Sequence, residues 1–181
     1  MALDSTKVRA AVSGAVSVGP TTAAAPTGTG GTLTGFVDLG YISDAGVTES
    51  RSRDTNDIRA WQGGALVRTL VTSGTLTYQF VMIETKLDTV KLFYGATVTS
   101  TVTDGNFVII PTATGGRQSF VVDVVDGAEL IRTYLPQAEV SEVGDRVYVN
   151  SEAIGYEVTI TAYPDATISA SAKVWATALK T

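Results

Sequence analysis

The chain contains neither cysteine nor histidine. That removes disulfides, thiolate and imidazole metal ligands, and every catalytic triad that depends on either residue. No apolar run reaches the roughly 20 residues that a membrane-spanning helix requires, so no membrane binding is expected. Basic residues are the scarcer sign, 13 Lys and Arg against 18 Asp and Glu, and the resulting formal charge of −5 disfavours stable binding to nucleic acid or anionic lipid. Met1 to Ala11 carries Lys7 and Arg9 but no continuous apolar core behind them. It does not read as a secretory leader, and the mature protein is expected to begin near Met1. Catalysis would have to come from carboxylate, Lys, Tyr, Ser or Thr side chains, and the carboxylates and lysines are scattered along the chain rather than in a recognisable cluster. The expectation is a non-enzymatic protein with no cofactor and no metal.

What is present is apolar and β-prone. At 181 residues and 44% hydrophobic content the chain has enough material for one domain with a sizeable core. Val and Thr recur throughout, as pleated, half-buried surfaces favour. Met1 to Thr32 combines a short apolar stretch, Val8 to Val18, with a Pro/Thr/Ala/Gly-rich run, and is read as a flexible arm and linker. Residues 33–181 are read as one β-rich domain. Within it, the polar stretch Ser43 to Gly64 holds Glu49, Arg51, Arg53, Asp54, Asp57, Arg59 and Trp61. It is expected to be a long exposed loop or an extended hairpin, an element of the kind used for assembly.

The central block is the most readable. Leu66 to Thr72 and Thr75 to Ile83 are expected strands, with Ser73-Gly74 as the turn between them. In the second, Leu76, Tyr78, Phe80 and Met82 share one face while Thr75, Thr77, Gln79 and Val81 share the other. The period then changes. Ile83, Leu87, Val90 and Tyr94 are spaced by four, three and four, which predicts one short helix, with Thr85 and Asp88 as a capping pair and Gly95 as its terminator. Further strands are predicted at Thr97 to Thr103, Phe107 to Ile110, Gln118 to Val125 and Glu129 to Leu135. Asp126-Gly127 is the turn between the last two, and Pro136 the end of the fourth. Gln137 to Val143, Arg146 to Asn150, Ile154 to Tyr163 and Ile168 to Trp175 complete the series.

Four groups of residues invite a chemical reading. Gly28, Gly30 and Gly31 lack the Lys-Ser/Thr pair and the βαβ setting of a phosphate loop. Asp54, Asn56 and Asp57 have calcium-loop spacing without the Gly and distal Glu that complete such a loop. Glu139, Glu142 and Asp145 would serve glycoside hydrolysis only if two of them faced each other across a cleft. Nothing basic or aromatic clusters around Trp61 or Trp175 in sequence to make a stacking platform.

Several segments together resemble the major tail tube proteins of long, non-contractile phage tails. They are Gly63-Gly64-Ala65-Leu66-Val67-Arg68, Phe80-Val81-Met82-Ile83-Glu84-Thr85, Leu92-Phe93-Tyr94-Gly95, Glu142-Val143-Gly144-Asp145, and the run from Gly155-Tyr156-Glu157-Val158-Thr159 through Ile160-Thr161-Ala162-Tyr163-Pro164-Asp165. The likeness covers Gly35 to Asp165 and lies in the order of patterns. It implies a β-sandwich or barrel-like domain with one flanking α-helix. It also implies self-assembly into stacked hexameric rings around a tape-measure protein, with tail terminator and tail-tip proteins as partners, in a virion tail assembled in the host cytoplasm. DNA would pass without binding.

On that resemblance Thr75, Thr77 and Gln79 are the candidates to face the lumen. Arg51, Arg53, Asp54 and Trp61 are the candidates for contacts between subunits or rings. Another virion β-sandwich, a head-decoration or adhesion module, would share this composition without needing a long assembly element. A carboxylate glycosidase or sugar-binding module would need an aromatic-lined cleft.

Overall fold

A computed structural model describes residues 3–180. Met1, Ala2 and Thr181, the outermost ends of the expected arm and domain, lie outside the described residues. The fold is mainly β, as expected. Its chief sheet is antiparallel, built from β1 (Ser13–Gly19), β2 (Val37–Asp38), β3 (Ile42–Arg59), β4 (Leu66–Met82), β7 (Gln118–Asp126), β8 (Glu129–Val143) and β9 (Tyr156–Ala162) in the order β2-β1-β7-β8-β9-β4-β3. A last strand, β10 (Lys173–Ala176), pairs with β8, and β5 (Thr99–Ser100) with β6 (Gly105–Asn106) makes a small separate hairpin.

The alternation in β4 is realised: Tyr78, Phe80 and Met82 are buried and sit directly across from Ile160, Val158 and Tyr156 of β9. Val140 and Ala138 of β8, Phe120 and Val122 of β7, and Val16 and Val18 of β1 continue the same apolar cluster. The helix α1 (Leu87–Tyr94) covers this face. Its buried side chains are Thr89, Val90, Leu92 and Phe93 rather than the expected Ile83, Leu87, Val90, Tyr94 stripe, because the helix begins only at Leu87 and leaves Ile83 outside it. Thr85 does not cap it. The N-cap is Lys86 without a side-chain bond, and the Thr85 hydroxyl is paired with the Tyr156 hydroxyl instead. Gly95 ends the helix in the left-handed conformation, φ 58°, where a Cβ would also lie 2.5 Å from the Gly115 nitrogen.

Three expectations are overturned by pairing. Ser73-Gly74 is not a turn. β4 runs straight through it, with Gly74 opposite Arg53 and Ser73 opposite Asp54, and the Ser73 hydroxyl donates to the Asp54 carboxylate at 2.5 Å. The turn is instead Trp61–Gly64, closed by Ala60 N–H to the Ala65 carbonyl, with Gly63 and Gly64 both at positive φ. Pro136 does not end a strand either. It falls where β8 passes from pairing with β10, at Ile131 to Tyr134, to pairing with β9 from Ala138, and beside an irregularity in the β7 register. A residue without an N–H is tolerated at such a junction. Finally, the expected arm is not wholly peripheral, since Ser13–Gly19 is an internal strand paired along its whole length with β7. The segment after β1 lies against β8, where Arg132 donates to the Gly28 carbonyl and Phe36 meets Tyr134 edge-on. Phe107 to Ile110 and Arg146 to Asn150 are irregular, and the strand expected over Ile168 to Trp175 starts only at Lys173.

Candidate functional site

Two features of the sheet bear on function, and both arise from β3 and β4. The first is the face turned away from the core. Register places Thr48, Ser50 and Ser52 of β3 beside Gln79, Thr77 and Thr75 of β4. Thr77, Gln79 and Val81 lie beside Thr161, Thr159 and Glu157 of β9, and Thr161 and Thr159 beside Glu139 and Glu142 of β8. Gln79 donates to Glu157 at 2.5 Å, and the Thr161 hydroxyl donates to that of Ser141 at 2.9 Å. The result is a four-strand surface of hydroxyls, amide and carboxylates on which these register positions carry no basic side chain. Thr75, Thr77 and Gln79 are thus brought together on one face.

Arg51 sits opposite Leu76, on the other side of the sheet. The Ser50 and Ser52 that flank it point to the acidic face, as strand alternation demands. Arg68 lies farther out, opposite Ile58, beyond the last β4–β9 pair.

This four-strand unit has two free edges. β3 is the end strand, and β8 has β7 beside it only as far as Ala138, so Glu139–Val143 pair on one side alone. Free edges on a long sheet invite pairing with another chain.

The second feature is the arm. β4 pairs with β9 only from Leu76 onward, so residues Arg53–Arg59 and Leu66–Gly74 form a two-stranded projection that reaches about 20 Å past the sheet at roughly 3.3 Å per residue. Hydrogen bonds between its own strands stiffen it: Thr69 to Asp57 at 2.8 Å and Thr72 to the Asp54 carbonyl at 3.1 Å. Ile58, Leu66, Val67 and Val71 are exposed along it, and Trp61 at the tip is 97% exposed. Of the four contact candidates, Arg53 and Asp54 are neighbours near its base. Arg51 stands just below them and Trp61 is at the far end, so they mark one element rather than one cluster. Asp54 is held by Ser73, and the arm's ion pair is Arg59 to Asp57 at 3.7 Å, both exposed.

Two of the acids that could serve glycoside hydrolysis do not oppose each other. Glu139 and Glu142 lie along one strand, and Glu139 accepts from Thr114. Trp175 sits across from Arg132, with the Lys173 ammonium 5.1 Å from its ring centre. Two groups escaped the sequence reading. Glu157, Thr159 and Thr161 complete the polar face, and the alternation of Tyr156–Ala162 was the available signal. Arg146 lies over the rings of Tyr148 and Tyr156 at 4.9 and 4.5 Å and donates to the Tyr94 hydroxyl; nothing periodic in the sequence points to that meeting.

No curated protein sequence matches the chain. Among solved structures, it is similar to a chain of the sheath-tube complex of an extracellular contractile injection system in the extended state. That match has a TM-score of 0.52 and 10% identity, and covers 97% of this chain and 99% of the other. At that identity the likeness concerns the fold. It is also similar to a chain in the tail of an empty gene transfer agent particle, with a TM-score of 0.44, 11% identity, and coverage of 91% and 96%. At the level of sequence the model of one family, described as phage tail tube protein, matches residues 1–179. The chain belongs to the phage tail tube protein family.

Proposed function

We propose that this protein forms the tube of a long, non-contractile phage tail, as stacked rings of six copies through which DNA passes. The observation that carries the reading is the polar face shared by β3, β4, β9 and the end of β8. Its side chains are hydroxyls, an amide and carboxylates, with Glu139, Glu142 and Glu157 supplying negative charge. A surface of that kind repels phosphates and offers no cation to hold them, so a polyanion slides along it. Thr75, Thr77 and Gln79 would face the lumen. The free edges of β3 and of Glu139–Val143 give each copy a place to join its neighbours, and ring closure would cover edges that otherwise promote aggregation. The hexameric number and the non-contractile tail rest on the sequence resemblance carried by the segments from Gly63 to Asp165. So do a tape-measure protein inside the tube and terminator and tip proteins at its ends. The role is structural, and assembly would take place in the host cytoplasm.

Arg51, Arg53, Asp54 and Trp61, all on or at the base of the arm, are assigned to contacts between copies. Negative-stain electron microscopy of the purified chain across a concentration series tests the function. Hollow tubes or stacked rings are expected. Particles that remain single subunits up to the highest concentration would sink the tube reading and favour a decoration or adhesion module.

A further inference from the structure

The unpaired stretch of β8 is not left bare. β7 begins at Gln118, opposite Ala138, and the chain just before it, residues 109–114, stands along residues 140–143 with an open groove of about 600 Å3 between them. Had the chain stayed extended ahead of Gln118, β7 would have run on beside residues 139–143. Gly115 and Gly116 turn it away. Both sit at positive φ, 76° and 74°, where a side chain is strained, and a Cβ on Gly115 would also lie 3.2 Å from the Gly95 Cα.

The flanking segment obstructs the edge without completing it. Among the described residues no backbone hydrogen bond joins residues 109–114 to residues 139–143: the Ala113 N–H goes to the Ile110 carbonyl at 2.9 Å, and Pro111 has no N–H to give. What ties the segment to the edge is Thr114, whose hydroxyl donates to the Glu139 carboxylate and accepts from the Gly116 N–H at 3.3 Å. Leu92 and Phe93 of α1 form the floor of the groove, yet Ile109 and Ile110 are each 56% exposed. A segment that is irregular, half in water and tied by one side-chain contact moves at small cost.

We propose that residues 107–116 are a displaceable guard on the free edge of β8. In a lone copy the segment stands in the path of a strand approaching residues 139–143, as loops and prolines do on edges that must not pair at random. On assembly Thr114 releases Glu139, the segment pivots about Gly115-Gly116, and the β3 edge of a neighbouring copy pairs with the strand it uncovered. Two adjacent glycines at the end of an element are suited to absorb that change in backbone angles. The contact is thus autoinhibitory: the guard must open before the edge can be joined. The proposal rests on the tube reading and adds to it a control on when copies join.

The absence of cysteine makes the test clean. The full-length chain is prepared as I110C/S141C, both positions lining the groove, and tied in dilute single subunits with a bis-maleimide that carries a reducible disulfide in its linker. Tied subunits are expected to form no tubes, and reduction of the linker is expected to restore them. The single variants I110C and S141C, capped with a monofunctional maleimide, are expected to assemble. In parallel, Thr114→Val should shorten the lag before light scattering rises about fivefold, the effect of one lost hydrogen bond, whereas Thr114→Ser keeps the hydroxyl and should keep the lag. Tied subunits that assemble as untied ones do would overturn the guard and leave the tube intact, and so would a lag that Thr114→Val leaves unchanged or lengthens. If capping either cysteine alone also stops assembly, the Thr114→Val lag decides. An unmodified protein that never assembles would overturn the tube reading itself.

Discussion

From Leu76 to Met82, β4 is flanked by β3 and β9, and Tyr78, Phe80 and Met82 are buried. From Leu66 to Ser73 the same strand has β3 alone, and Leu66, Val67 and Val71 remain in solvent. Both halves carry several large apolar side chains, so the presence of such side chains does not by itself decide which is core. Neighbours decide it: a third strand and a covering helix turn an alternating strand into interior, and without them the same chemistry becomes a surface available to another chain. Stability should therefore reside in one half and assembly in the other.

The sharpest way to break that division is Phe80→Ala. The ring is 1% exposed, and its loss should cost about 3–5 kcal/mol, read as a lower urea midpoint, with tube formation failing only because the subunit is depleted. Nearly as large is Asp123→Ala on the other face of β7. Arg132 is bound there by two 2.7 Å hydrogen bonds, its side chain is 8% exposed, and stranding a charge so placed costs about 3 kcal/mol. Chemical denaturation of the subunit would measure it, and a cost near zero would mean that water reaches the guanidinium.

A smaller effect, about 1 kcal/mol, is expected from Tyr78→Phe, because the Tyr78 hydroxyl donates to Glu49 at 2.8 Å. Its pH dependence sharpens the comparison. Burial, then the hydrogen bond to Glu49 and its charge, push the Tyr78 phenol above its ordinary value. The neutral form is thus favoured in the folded state. The associated stability is fully present below about pH 10, the unfolded value, and is lost as pH rises toward the folded value. Unfolding curves taken above pH 10 should fall more steeply for the native sequence than for Tyr78→Phe. The smallest effect on stability belongs to the arm. Val71→Ser should change unfolding by less than about 0.5 kcal/mol yet suppress tube formation seen by electron microscopy. A large drop in subunit stability would show that the arm folds back on its own body.

The strands were legible where one face is buried and the other is more open, as in Leu76 to Met82 and Tyr156–Ala162, because period-two alternation records that asymmetry directly. Reading failed at Ser73-Gly74 and at Pro136 for a shared reason. Both have turn or breaker chemistry, but each is held in strand geometry by what lies across from it: Asp54 in the first case, and a change of partner strand in the second. The site was legible in part. Thr75, Thr77 and Gln79 were visible as one face, and Arg51, Arg53, Asp54 and Trp61 as one exposed element. Beyond β3, the rest of the polar face comes from β8 and β9, more than 50 residues away in sequence, and nothing local announces that these strands lie beside β4. Ile109 and Ile110 were less legible: they read as the end of a strand, Phe107 to Ile110, and the structure leaves both irregular and exposed.

By itself the sequence determined the class of structure and the chemistry excluded from it: missing cysteine and histidine, alternating Val and Thr, a single helical period and a terminating glycine act locally and need no partner to be read. Tertiary structure alone decided which apolar residues are core and which are surface, because burial is a property of what packs against a residue. It also placed the β3–β4 arm beyond one end of the sheet, since strand register, fixed by hydrogen bonds between distant segments, sets where each strand begins and ends.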